Sequence, residues 1–180
     1  MIKISLDDVK GFNELTSEFT TIAKGGTFSF EFSLKALSEW ESKYRKPFLN
    51  SESKTVKESS DFLSMCAIGK RPDPNLFIYG NGKQVKQLWD YIATVPSATI
   101  IEDESSESNG EIPTSEVLYA MLAMAGMDYD CDNWNINRLI MTLRVIAAKN
   151  QPEKKMSKRD TMLSNTEINE RRKRLLGTKG

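Results

Sequence analysis

Asp128-Tyr129-Asp130-Cys131-Asp132 spaces three carboxylates two residues apart, as at the opening of a calcium loop. The pattern then fails. The sixth position is Asn133 where the loop needs glycine, and the twelfth is Leu139 where a bidentate glutamate belongs. The stretch reads instead as an acidic turn between helices, its charges favouring the start of the second through the helix dipole. Gly80-Asn81-Gly82 is too short for a phosphate-binding loop, with neither GxGxxG nor GK[ST] around it, and reads as a turn. Cys66 and Cys131 lack CxxC spacing and read as two reduced thiols of a cytosolic protein. The chain has no histidine, which removes Ser-His-Asp, Cys-His and HExxH chemistry. No acid–base pair or nucleophile stands out among the remaining carboxylates, lysines and tyrosines. The expectation is therefore a non-enzymatic protein with no catalytic residue, cofactor or metal site.

Binding is the remaining chemistry. Trp40, Trp89 and Trp134 suggest an aromatic platform for single-stranded nucleic acid. Two of them fall on apolar helix faces and the third lies in an acidic region, so core packing is the better reading. The cations are more telling. Residues 149–180 hold ten Lys/Arg against four Asp/Glu, a balance of +6, which leaves −6 on residues 1–148 of a chain with zero net charge. Gln87 to Asn137 contains no Lys or Arg. Such asymmetry marks an interaction surface. Lys154, Lys155, Lys158, Arg159, Arg171, Arg172, Lys173 and Arg174 are the candidate partner-binding residues. Asp160, Glu167 and Glu170 interrupt the run and aromatic residues are missing, so a protein partner fits better than nucleic acid. The tail also suits acids at 102–132, in its own chain or a neighbouring one, or a solvated helix.

The elements that must carry these residues follow from periodicity. IKISL (2–6) alternates as a short strand. TFSFEFSL puts Phe28, Phe30, Phe32 and Leu34 on one face and Ser29, Glu31 and Ser33 on the other. Ser33 is a good N-cap for a helix carrying Leu34, Leu37, Trp40 and Tyr44, stopped by Pro47. Thr55 and Glu58 form a capping box for a helix with Phe62, Met65 and Cys66, ending near Gly69. RPDPNLF suggests a turn and a short helix. Val85, Leu88, Trp89 and Ile92 predict an amphipathic helix over 83–94, closed by Pro96. SATII (97–101) reads as a brief returning strand. Thr114 or Ser115 caps a helix ending at Gly126. Asp132 or Asn133 caps the next, whose stripe runs from Ile136 to Ala147. A short loop between two such helices favours an antiparallel hairpin. Ser157 opens a capping-box-like start to the tail, with a last helix over 166–176.

These elements predict a mainly α (α+β) fold. Residues 1–101 form an N-terminal α+β domain, 102–112 an acidic linker of low apolar content, 113–150 a helical hairpin and 151–180 a basic C-terminal tail. No apolar run is long enough to span a membrane, and MIKISLDDVK has acids where a signal peptide needs an apolar stretch, so secretion is not expected.

LSEWESKYRKPFL, together with residues 111–180, resembles a family of small proteins of tailed bacteriophages. The likeness covers about residues 34–180 and is densest after 112. It is carried by Trp40, Lys46, Pro47, Phe48 and Leu49; by Thr114, Ser115 and Glu116; by Trp134, Asn137, Arg138 and Leu139; and by Lys154, Lys155, Met156, Ser157, Lys158, Arg159, Arg171 and Arg172. The resemblance implies a tail assembly chaperone that binds phage tail proteins, the tape measure protein among them, in the host cell cytoplasm during virion morphogenesis. Homo-oligomerisation fits the same reading. The alternatives are a structural component of the tail, neck or baseplate, or a nucleic-acid-binding phage protein.

Overall fold

The structure is a computed structural model that describes residues 1–50, 52–99, 113–150 and 158–177. It is of the mixed α+β class. Strand β1 (Ile2–Leu6) pairs antiparallel with β4 (Gly26–Phe30), Ile2 opposite Phe30 and Leu6 opposite Gly26. The short β5 (Ala67–Ile68) joins the other edge of β4, giving the order β1-β4-β5. Between β1 and β4 the chain forms a separate ribbon of β2 (Val9–Asn13) and β3 (Glu18–Ala23), with a register shift near Val9 and Lys10. The helices are α1 (Leu34–Tyr44), α2 (Val56–Met65), α3 (Asn75–Ile78), α4 (Gly82–Ala93), α5 (Ser115–Met124), α6 (Ile136–Asn150) and α7 (Lys158–Leu176). A 3₁₀ turn spans Tyr129–Asn133.

The local signals act as their chemistry requires. Ser33 caps α1, its hydroxyl accepting from the Ala36 amide. The Thr55–Glu58 capping box is complete in both directions, at 2.8 and 3.3 Å. Thr114 caps α5, and Gly126 follows that helix at φ +67, a left-handed backbone that favours glycine. At Gly80 a Cβ would stand 2.0 Å from the Leu76 carbonyl oxygen, so the GNG stretch turns under direct backbone contact. Asn81 then caps α4.

Three expectations are corrected. The polar face of TFSFEFSL is not left to solvent, because α4 and the start of α6 reach Glu31. The helix α6 is capped by Asn135, whose side-chain oxygen accepts from Asn137 and Arg138 at 3.1 and 3.3 Å. Asp132 and Asn133 lie in the 3₁₀ turn instead. In the segment 97–99 no strand forms; Ile100 and Ile101 lie outside the described residues, as do 102–112.

One core gathers side chains from both ends of this order. Phe30, Phe32, Leu37, Trp40 and Phe62 are buried with Leu118, Leu122, Ile136 and Leu139. The Phe48 ring stacks on Phe62 at 3.8 Å and meets Trp40 edge-on at 4.9 Å. The Trp40 indole N–H is satisfied by the Glu58 carbonyl at 2.8 Å. Met1–Ala147 forms one compact unit and Ala148–Gly180 a second. Helix α5 packs on α1, where α1 gives its N-terminus a second acceptor beside the Thr114 cap.

That acceptor is Glu41. It is 6% exposed, and its carboxylate accepts the Phe48 amide at 2.9 Å and the Ser115 amide at 2.7 Å. Removing it orphans two buried N–H groups, each worth about 1–3 kcal/mol. Glu41→Leu is therefore expected to lower unfolding stability by about 2–4 kcal/mol. Urea denaturation measures this; an unchanged midpoint would mean that the carboxylate is not holding α5.

Candidate partner-binding site

The interior groups that carry chemistry are committed to structure. Lys43 and Tyr44 of α1 both donate to Asp61 of α2. Burial raises the Asp61 pKa, but these hydrogen bonds outweigh it and hold the carboxyl below its usual range, while burial and Asp61 push the Tyr44 hydroxyl far up. Burial likewise pushes the Cys66 thiol well above its ordinary value, leaving a poor nucleophile. Cys131 is also buried. In the acidic turn, Asp128 accepts the Asp130 amide and Asp132 accepts the Tyr119 hydroxyl, whose pKa burial and Asp132 raise to about 12. Among the described residues no group of His, Cys, Asp or Glu is arranged to hold a metal ion.

Glu31 is a further structural carboxylate. It receives the Tyr91 hydroxyl at 2.7 Å, the Asn135 amide at 2.9 Å and the Met1 amino group at 2.5 Å. Burial raises its pKa, yet the three donors outweigh burial and the net shift is downward.

Of the tryptophans, Trp40 is fully buried and Trp89 is partly buried, stacked near Phe62. Trp134 departs from the expected core role: it is 41% exposed, with the Arg138 guanidinium over its ring at 5.5 Å. Among the described residues no other aromatic ring pairs with it to build a stacking platform.

The predicted cations divide. Lys154 and Lys155 lie outside the described residues, and Lys158 and Arg159 open α7. Arg171, Arg172, Lys173 and Arg174 are exposed in its last turns, where positive charge complements the helix dipole. Arg174 lies 3.8 Å from Glu170, a solvent-exposed pair of small worth. Met162, Ile168, Leu175 and Leu176 of the same helix are 46–78% exposed. A helix with so little buried normally draws its stability from packing on another surface.

Two further surfaces were not anticipated. The β2–β3 tip exposes Phe12, Leu15 (97%) and Phe19, the two rings 5.2 Å apart. An open groove of about 290 Å³ runs between α5 and α6, lined by Leu118, Met121, Ile140 and Leu143 with Pro113 and Ala147 at its margins. Arg144 is the charged residue on its wall. The sequence signal for the groove was the all-round apolar character of LYAMLAM, which exceeds what one buried face requires.

The chain matches no protein-family model, no curated protein and no solved structure.

Two measurements follow. Glu31 carries a lowered pKa, so its stabilising effect is present above the unfolded value of about 4.3 and is lost as pH falls through the folded value. The melting temperature of wild type should thus drop more steeply below about pH 4.5 than that of Glu31→Gln; parallel curves would remove Glu31 from the account. Both thiols should resist a disulfide reagent in the native protein and react once it is denatured. Rapid labelling of either under native conditions would contradict the burial.

Proposed function

We propose that this chain is a non-enzymatic assembly protein that grips another polypeptide through its basic C-terminal helix. The observation that carries the reading is α7 itself. It presents Arg171–Arg174 beside exposed Leu175 and Leu176, so one short stretch offers both charge and apolar surface to a partner. Helical partners are held in this way, through apolar stripes with flanking charges setting specificity. The opposite balance of charge, −6 over residues 1–148 against +6 over 149–180, would also orient the chain on a partner with an acidic face.

The resemblance to tailed-bacteriophage proteins gives this activity a setting. In that setting the chain is a tail assembly chaperone that covers the tape measure protein in the host cytoplasm while the tail forms. The interior chemistry is compatible: both thiols are buried, and Glu31, Glu41 and Asp61 are engaged in capping and clamping.

Deleting residues 153–180, and separately reversing Arg171, Arg172, Lys173 and Arg174 to Glu, should abolish co-purification with tape measure protein while leaving the melting of the remainder intact. Undiminished capture would refute the role of α7. Mass spectrometry of purified particles separates a chaperone, absent from virions, from a structural component. Affinity for single-stranded DNA falling steeply with salt would instead mark a nucleic-acid-binding protein.

A further inference from the structure

We propose that β2 is a dimerisation edge: two copies of the chain pair their β2 strands antiparallel about Phe12, with Lys10 of each opposite Glu14 of the other. This is independent of what α7 binds.

The edge is open and regular. Strand β2 has β3 on one side and, among the described residues, no strand on the other. Such an edge presents a row of unpaired backbone N–H and C=O groups, a template for another strand. The two edges of the ribbon differ. Val9 pairs with Ala23 and Lys10 with Thr21, so Ile22 is an extra residue on β3. A bulge bends the strand that carries it. Here that strand is β3, which also packs against α3, while β2 runs without interruption from Val9 to Asn13.

The ribbon also has apolar surface to cover. Phe12 is 55% exposed and Phe19 72%, and the two lie opposite each other in register with their rings 5.2 Å apart. A two-stranded ribbon is marginal in water and gains stability from further strands. A second copy joined through β2 makes four strands, in the order β3-β2-β2-β3. Residues directly opposite one another share a face, so the four phenylalanines form one row across that sheet.

Charge selects both the partner and the register. Lys-Gly-Phe-Asn-Glu (10–14) sets a cation two residues before Phe12 and an acid two residues after it. Period-two alternation puts the three on one face, the pairing extending β2 by one residue to reach Glu14. Antiparallel pairing about Phe12 places both Lys10–Glu14 pairs across the interface. No other antiparallel register of β2 on itself does so, and one centred on Lys10 or on Glu14 sets like charges face to face, which is destabilising. The stretch is complementary to itself. Both side chains are exposed, and neither has an ion pair or side-chain hydrogen bond among the described residues. The acids at the base of the ribbon are already engaged, Asp7 with Gln84 and Asp8 with the Gly25 amide. Glu14 and Glu18 beside the same rings oppose a phosphate backbone, so a second copy fits this edge better than nucleic acid. The contact uses the same patch on both molecules, so it closes at two.

Charge reversal tests this directly. Full-length wild type, Lys10→Glu, Glu14→Lys, the Lys10→Glu/Glu14→Lys double variant and Phe12→Asp are compared by sedimentation velocity over a concentration series at low salt. All three positions are exposed, and unchanged circular dichroism melts verify that each variant folds. Wild type should form a dimer that grows no further. Each single reversal turns two attractive pairs into two repulsive ones and should weaken dimerisation about tenfold. The equimolar mixture of the two single variants, and the double variant alone, should regain wild-type affinity. Phe12→Asp should stay monomeric. The proposal is overturned if wild type stays monomeric at its solubility limit, if either single reversal or Phe12→Asp dimerises as well as wild type, or if the mixture associates no more tightly than its components alone.

Discussion

Two carboxylates on either side of one strand-to-helix junction hold this fold together. Glu31 ends the β4 segment and Glu41 lies on the third turn of α1, and between them the chain changes from extended to helical at Ser33. Each reaches across to the residues after 112. Glu41 accepts the backbone amide of Ser115 at the N-terminus of α5, and Glu31 accepts the side-chain amide of Asn135, which precedes α6. The backbone repeats the link, with the Ile136 amide on the Phe32 carbonyl at 2.7 Å and a bridge between Ser33 and Asn135. Helix N-termini expose unsatisfied N–H groups and attract negative charge. Here the first backbone N–H of α5 finds that charge directly on Glu41, while Glu31 holds the side chain of Asn135, the residue that caps α6.

Once the helix starts are fixed there, the rest of the packing follows. Leu118 and Leu122 of α5, and Ile136 and Leu139 of α6, are carried into the same core as Phe30, Trp40 and Phe62. The opposite faces are not covered. Val117, Met121 and Met124 remain exposed on α5, and the groove opens where α5 turns toward α1 rather than toward α6. The same arrangement that buries Cys66 and Cys131 leaves these apolar faces of α5 outside. The proposed assembly role would draw on that division.

Much of this was legible, because much of it is local. The β1 and β4 alternation, the Thr55–Glu58 box, the Thr114 cap and the 83–94 stripe each depend on side chains within a few residues of one another. The charge asymmetry that singles out Arg171–Arg174 is likewise a matter of counting. What escaped was long-range. Glu31 alternates with phenylalanines and looked solvent-facing; only Tyr91 and Asn135, 60 and 104 residues away, reveal its role. Glu41 carries no local signal either; only Phe48 and Ser115, 7 and 74 residues away, show that it is a buried acceptor. The β2–β3 ribbon was missed because its large apolar side chains, Phe12, Phe19 and Ile22, are exposed rather than alternating in and out. Asn135 was passed over as a cap because the 3₁₀ turn delays the helix beyond the acids that seemed to start it.

The central claim is that residues on both sides of 102–112 share one cooperative core, pinned by Glu31 and Glu41. Native-state hydrogen exchange of the full chain tests it most directly. Amides of Leu122 and Leu143 should exchange through the same opening free energy as those of Phe30, Leu37 and Phe62. If α5 and α6 instead open as a unit of lower stability while β4, α1 and α2 stay closed, the two carboxylates are decoration and the account fails.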